Sequence, residues 1–325
     1  MSVLASLLLG CLADSADPGA ATKPTGVGVP VLVYHEILTD GAEPSETRVS
    51  LERFQEQMAY LADNHWTPLS VGELVGFMRG EKPLPSERSV VLTFDDGWRS
   101  VQQAIPILER YGFKASFWII SHRGIGWDNL EWEDVERIDA HPLFEVGSHT
   151  ASHPWDPSDN LVTWVDGAVP GKGPADVRHE LEGSRQLLEK HLGHPVRALA
   201  WPRGWYNERL VELARDSGYE AILTTDDGAN RVGDDVLRIK RVYVDGGCEL
   251  DAFARLLQDA RYRPCAPARG PVVRRQLHSP YPVAERASPV AIGLRTSPRA
   301  FRGPRRAPRG HRATRSRRPA RWPRS

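Results

Sequence analysis

The chain is poor in cysteine, has no long apolar run and carries no net charge, and each shortage excludes something. Its 325 residues hold three cysteines, Cys11, Cys248 and Cys265. These are too few and too scattered for a disulfide framework or a cysteine-rich zinc site. No run of 18 or more apolar residues occurs, so no membrane-spanning helix of ordinary length is encoded. The 42 Lys+Arg match 42 Asp+Glu, but this balance averages two unlike pieces. Residues 264–325 hold 16 Arg, no Lys, no Asp and one Glu, a net of +15, whereas the preceding 263 residues carry 26 Lys+Arg against 41 Asp+Glu, a net of −15.

The basic piece also contains 11 of the 26 prolines. It cannot bury enough apolar surface to offset the entropy of ordering it. Residues 263–325 are therefore read as a disordered Arg/Pro-rich tail, or as a GC-rich gene read in a shifted frame. Lacking a recognisable binding module, the tail gives no reason to expect a nucleic-acid partner. At the other end, the apolar run closing on Leu8-Leu9-Gly10-Cys11 is similar to a bacterial lipobox. Residues 1–28 are then a signal and flexible tether with Cys11 as the lipidation site. The expected location is the bacterial cell envelope, with a lipid anchor in the membrane. A cleaved signal segment with an incidental cysteine is the alternative.

Residues 29–262 alternate strand-like and helix-like patterns, which predicts an α/β domain. Short apolar runs fall at 29–34, 90–94, 115–120, 144–146, 198–201, 221–224 and 239–244. Between 50 and 64, Leu51, Phe54, Met58 and Leu61 recur at helical spacing. Helices are also expected over 176–192, stopped by Gly193, and over 207–217, stopped by Gly218. Seven such strands suit an incomplete or distorted (β/α) barrel, although periodicity alone leaves an open doubly wound sheet possible. The stretch 154–175 has no pattern and reads as a loop over one end.

Chemistry concentrates at strand ends. The run Val90-Val-Leu-Thr-Phe94 leads into Asp95-Asp96-Gly97, and adjacent carboxylates are hard to keep ionised together without a cation or a division of roles. Some 50 residues on, His149-Thr-Ala-Ser-His153 follows another strand. Two imidazoles four apart can meet one metal ion if that stretch forms a helical turn. With a carboxylate they make a His₂Asp site that leaves a position open.

Thr93-Phe-Asp-Asp-Gly97 and His149-Thr-Ala-Ser-His153 resemble the first two motifs of the polysaccharide deacetylases of the NodB-homology fold, carbohydrate esterase family 4. The resemblance implies Asp95 as general base and Asp96, His149 and His153 as ligands of one divalent metal ion, most often Zn²⁺. It also implies the backbone N–H of Arg203 as oxyanion donor. Ala200-Trp-Pro-Arg-Gly204 stands where the third motif usually begins with Arg, so the usual tether of the base is missing. Arg203 and Arg241 are both open as replacements. The late histidine that most members use as general acid is missing too, because after His194 only His278 and His311 remain, both in the tail. Val29-Pro-Val-Leu-Val-Tyr-His35 offers His35 instead. Together with Trp-Pro-x-Gly, this resembles the branch acting on poly-β-1,6-N-acetyl-D-glucosamine. The implied activity is hydrolytic N-deacetylation of an N-acetylglucosamine polysaccharide, and the protein is expected to be a monomer. A chitooligosaccharide or peptidoglycan deacetylase and an inactive carbohydrate-binding protein are the alternatives. Among the 10 Trp, Trp201 and Trp205 flank the third motif and are expected to face substrate, while Trp98 is expected to be scaffold.

Overall fold

A computed structural model describes residues 26–38, 43–122 and 128–265. The lipidation reading of Cys11 and almost all of the tail lie outside the described residues.

Among the described residues, twelve strands and eight α-helices follow one another in sequence. The strands are β1 (Val31–Tyr34), β2 (Glu36–Leu38), β3 (Arg48–Ser50), β4 (Thr67–Leu69), β5 (Ser89–Phe94), β6 (Ala115–Ile119), β7 (Phe144–Ser148), β8 (Trp155–Asp156), β9 (Asp159–Asn160), β10 (Ala198–Ala200), β11 (Ala221–Leu223) and β12 (Val242–Tyr243). The helices are α1 (Leu51–Asp63), α2 (Val71–Met78), α3 (Ile105–Tyr111), α4 (Trp132–Asp139), α5 (Leu161–Val165), α6 (Pro174–Leu192), α7 (Glu208–Asp216) and α8 (Leu250–Asp259). The seven apolar runs of the sequence are the strands β1, β5, β6, β7, β10, β11 and β12. They form one parallel sheet in the order β11-β10-β7-β6-β5-β1-β12, with the short β4 paired to the start of β5. The sheet curls so far that its two ends meet on one segment. Ile239 bridges to Leu223 of β11, and Val242–Tyr243, three residues on, pairs with β1. The result is a distorted barrel of seven parallel strands.

Strand alternation sorts the side chains. Leu32, Tyr34, Val90, Leu92, Phe94, Phe117, Phe144, Val146 and Val242 point outward into a core shared with α1, α3, α4 and α8. Val31, Val91, Trp118, Ala200, Leu223 and Ile239 point inward, where Leu74, Phe77 and Met78 of α2 join them. Helix α2 thus plugs one end of the barrel, and its N-terminus is capped from within by Glu145, which accepts hydrogen bonds from the Val71 N–H and Ser116 hydroxyl. Burial raises the pKa of the Glu145 carboxyl above its ordinary value.

The three predicted helices are α1, α6 and α7. Ser50 caps α1 by accepting from the Arg53 N–H at 3.1 Å, and Asn207 caps α7 by accepting from the Leu210 N–H at 3.0 Å. Gly193 ends α6 in the left-handed conformation at φ 76°, as a glycine C-terminal stop does. One expectation needs correction. The stretch 154–175 is not a bare loop, because it contains the β8–β9 hairpin and α5. The cysteines form no framework, but Cys248 and Cys265 are joined in one disulfide with Cα atoms 5.2 Å apart. That bond ties residues 263–265, expected in the tail, onto the barrel.

Candidate active site

The alternation that places Val31 and Val33 inside the barrel places His35 inside it at the strand's end. The same parity carries Val91 and Thr93 on to Asp95, Glu145 and Gly147 on to His149, and Ile239 on to Arg241. Four polar side chains from four distant segments therefore converge at the C-terminal mouth of a parallel barrel, the end at which such folds place their chemistry.

Asp95 and Arg241 form the centre. The guanidinium donates from its two terminal nitrogens to the two carboxylate oxygens at 2.7 and 2.9 Å, and its Nε donates to the Thr224 carbonyl at 2.8 Å. Arg241 is fully buried and Asp95 is 3% exposed. Burial pushes the Asp95 carboxyl toward protonation, but Arg241 and His149 outweigh it and hold its pKa below the ordinary value. This answers the open question of the missing motif arginine. Arg241 tethers Asp95, while Arg203 is exposed and lies over the Trp205 ring at 5.3 Å.

Asp96, His149 and His153 form a buried cluster. Asp96 Oδ1 lies 3.3 Å from His149 Nε2 and 3.4 Å from His153 Nε2. Donors about 2.0–2.2 Å from a tetrahedral ion stand about 3.4 Å apart, so the spacing fits a single metal ion. Asp96 Oδ1 has no hydrogen-bond partner, whereas Oδ2 accepts from the Trp98 indole at 3.0 Å. Trp98 therefore orients a member of the cluster as well as serving as scaffold. His149 Nδ1 is 2.8 Å from the Ala200 carbonyl, which directs Nε2 at the cluster, an outer contact of the kind that fixes ligating histidines. Burial pushes the His153 pKa down to about 4. Burial opposes protonation of His149 too, but Asp95 and Asp96 overcome it and raise its pKa.

The two imidazoles do not meet through a helical turn. Thr150 and His153 have φ of 66° and 54°, a left-handed bend rare in non-glycine residues and typical of functional loops. Glu180 of α6, missed from sequence, holds this bend. One carboxylate oxygen accepts from the Ala151 and Ser152 N–H groups at 3.0 and 2.8 Å, and the other accepts from the Ser152 hydroxyl at 2.6 Å. A signal existed, since Glu180 sits among the buried positions Val177, Leu181, Ser184 and Leu188 of α6, a charged residue on an apolar stripe.

His35 stacks on Tyr243 with ring centroids 5.7 Å apart, and its Nδ1 has no hydrogen-bond partner. Burial lowers its pKa, partly offset by Asp96 and Asp95, which places it in the field of the cluster. The third motif forms a tight turn in which Arg203 has φ 56° and Gly204 φ 69°. A Cβ on Gly204 would stand 2.0 Å from Thr225 Oγ1, so only glycine fits. Trp205 is half-buried and lines a surface cleft. Trp201 does not face substrate. It is fully buried in the outer core with Leu199, Leu181 and Leu210, because Leu199 and Trp201 share a strand parity opposite to that of inward-facing Ala200.

A (β/α) barrel with a carboxylate tethered by arginine at its mouth thus sets a candidate acid–base group beside an Asp-His-His cluster that could hold a metal ion. Residues 82–222 match the family model "Polysaccharide deacetylase". Residues 82–222 thus carry a polysaccharide deacetylase domain of the NodB-homology type, and the relatives and solved structures that the chain resembles support a deacetylase enzyme. It is 28% identical over 235 residues to YxkH of Bacillus subtilis (strain 168), covering 72% of this chain and 77% of that one. Poly-beta-1,6-N-acetyl-D-glucosamine N-deacetylase of Escherichia coli (strain K12) is 26% identical over 258 residues, covering 70% of this chain but 38% of that longer protein. Among solved structures, IcaB from Ammonifex degensii superposes with a TM-score of 0.62 at 27% identity, covering 72% of this chain and 97% of that one.

Proposed function

We propose that the chain is a metal-dependent N-deacetylase of an N-acetylglucosamine polymer, with poly-β-1,6-N-acetyl-D-glucosamine as substrate and acetate as the released product. The observation that carries the reading is the buried Asp95–Arg241 pair set against three donor atoms spaced for one ion. Asp96, His149 and His153 would hold that ion, zinc in our reading given its one-carboxylate, two-imidazole donor set. When bound, it supplies a Lewis acid for the acetyl carbonyl and makes a water acidic enough to act near pH 7.

The remaining steps belong to the protein's own groups. Asp95, kept ionised by Arg241, accepts the proton of the water that adds to the acetyl carbon. The Arg203 N–H, in its left-handed turn, donates to the oxygen that becomes negative. His35 gives a proton to the sugar nitrogen as the C–N bond breaks, leaving acetate and a glucosamine unit. A base and an acid from different strands suit general acid–base hydrolysis. The burial that lowers the His35 pKa makes its imidazolium a stronger acid.

Poly-β-1,6-linked substrate is favoured over β-1,4-linked polymers by the acid's origin on the first strand and by the likeness to the E. coli enzyme. Export to the cell envelope accords with the Cys248–Cys265 disulfide, since such bonds persist in oxidising compartments. Among the described residues no helix is long and apolar enough to cross a membrane, and attachment through Cys11 with a monomeric domain 29–262 completes the reading. The test is acetate release from β-1,6- and β-1,4-linked N-acetylglucosamine oligomers, with and without a chelator. Release from the β-1,6 oligomer that stops on chelation is the expected result, and metal-independent release or none from either would overturn it.

A further inference from the structure

A histidine that transfers a proton is ordinarily aligned by a hydrogen bond at its other ring nitrogen. His35 lacks that device, since its Nδ1 is buried and has no hydrogen-bond partner. What meets the ring instead is Tyr243. The two ring planes lie 9° apart with centroids separated by 5.7 Å, inside the span of about 4.5–7 Å usual for offset aromatic stacks. Stacking fixes the plane of an imidazole and occupies neither of its nitrogens.

Closure of the barrel puts Tyr243 there. Val33 of β1 pairs with Tyr243 of β12 in parallel register, and the Val244 N–H donates to the Val33 carbonyl at 3.1 Å. Alternation carries Val33 on to His35 and Arg241 on to Tyr243, so both rings project from neighbouring strands at the barrel mouth. Tyr243 is itself held by Tyr262, which packs on it edge-on at 6.0 Å. The Tyr262 N–H donates to Asp227 Oδ1 at 3.0 Å, and the Cys248–Cys265 bond closes three residues further on. Core packing does not account for the arrangement. Tyr243 is half-buried and belongs to none of the apolar clusters, whereas Val242 and Val244, of opposite parity, are buried in the outer core.

We propose that Tyr243 is the positioning residue of the general acid, its ring and not its hydroxyl setting the plane in which His35 presents a proton to the sugar nitrogen. This rests on the reading of His35 as the acid. The amine cannot leave the acetyl carbon until its nitrogen carries that proton, whereas a phenolate leaves without one. Lost alignment therefore slows amide cleavage more than cleavage of an aryl ester. The test measures kcat and KM for wild type, Tyr243→Leu, Tyr243→Phe, His35→Ala and the double variant His35→Ala/Tyr243→Leu. The substrates are the N-acetylglucosamine pentamer that wild type cleaves, β-1,6 or β-1,4, and a small aryl acetate. The ratio of kcat on the pentamer to kcat on the aryl acetate should fall about tenfold in Tyr243→Leu with little change in KM, and Tyr243→Phe should restore it to within about twofold. His35→Ala should slow the pentamer reaction about 100-fold. In that background Tyr243→Leu should cost nothing more, because a residue acting through His35 has nothing left to align. An equal fall on both substrates, a Tyr243→Phe variant as slow as Tyr243→Leu, or additive losses in the double variant would each overturn the positioning role. A His35→Ala variant with wild-type kcat on the pentamer would instead overturn the acid reading itself.

Discussion

At the scale of single residues, the site depends on groups that set the state of other groups. Arg241 is the clearest case. It is 0% exposed and its partner Asp95 is 3% exposed, so neither charge can be relieved by water if the other is removed. Arg241→Ala should raise the Asp95 pKa by roughly one to three units, the span usual for a carboxylate that loses an adjacent arginine. Asp95 acts in its ionised form in the proposed mechanism, so the acidic limb of the kcat/KM profile should move to higher pH. The pH profile of acetate release checks this. Leaving a buried carboxylate unpaired should also destabilise the fold by about 3–5 kcal/mol, measurable by denaturant unfolding above pH 6. Glu180 acts on the His149–His153 bend in the same indirect way. Glu180→Ala leaves the Ala151 and Ser152 N–H groups without their acceptor, and metal affinity should fall roughly 10- to 100-fold, as for other outer-shell losses. Calorimetric titration of the apoprotein with Zn²⁺ reads this without recourse to activity.

At the scale of elements, strand parity decides what each segment can do. The strand β10 sends Leu199 and Trp201 outward and Ala200 inward, so the Trp beside the third motif is structural while Trp205, past the turn, reaches the surface. The turn itself is made by left-handed Arg203 and Gly204. Gly204→Ala would drive a Cβ into Thr225 Oγ1 and strain the backbone, so a loss of about 1–3 kcal/mol is expected, together with loss of acetate release. A thermal melt and a rate measurement on the same sample check both. Helix propensity and capping made α1, α6 and α7 legible in the sequence, because each has an apolar stripe and a defined start or stop. The β8–β9 hairpin was not legible, because its strands are two residues each and carry no period. Nor was the bend at His149–His153, which is held from outside by Glu180.

At the scale of the whole molecule, closure of the barrel brings the chemistry together. The segment Ile239–Tyr243 joins the two ends of the sheet and delivers Arg241 to Asp95, 146 positions earlier in the chain. Just beyond, the Cys248–Cys265 bond spans a sequence separation of 17 residues and pins the last described residues beside Tyr243, against which Tyr262 packs edge-on at 6.0 Å. Constraining a loop of that size in the unfolded chain is worth about 3 kcal/mol. Cys248→Ser, or reduction of the native enzyme, should lower unfolding stability by about that amount, as denaturant titration would read.

The sequence by itself determined the seven strands of the barrel and the identity of the motif residues Asp95, Asp96, His149 and His153. Periodicity, strand-end polarity and short motifs are local, and a local pattern survives whatever the rest of the chain does. Only the tertiary structure decided that Arg241 and not Arg203 holds Asp95, that Trp201 is core, that Glu180 shapes the His149–His153 bend and that Cys248 and Cys265 are joined. Each of these is a choice among distant partners, made by the curl and closure of the sheet. Nothing in the flanking residues of either partner encodes that choice.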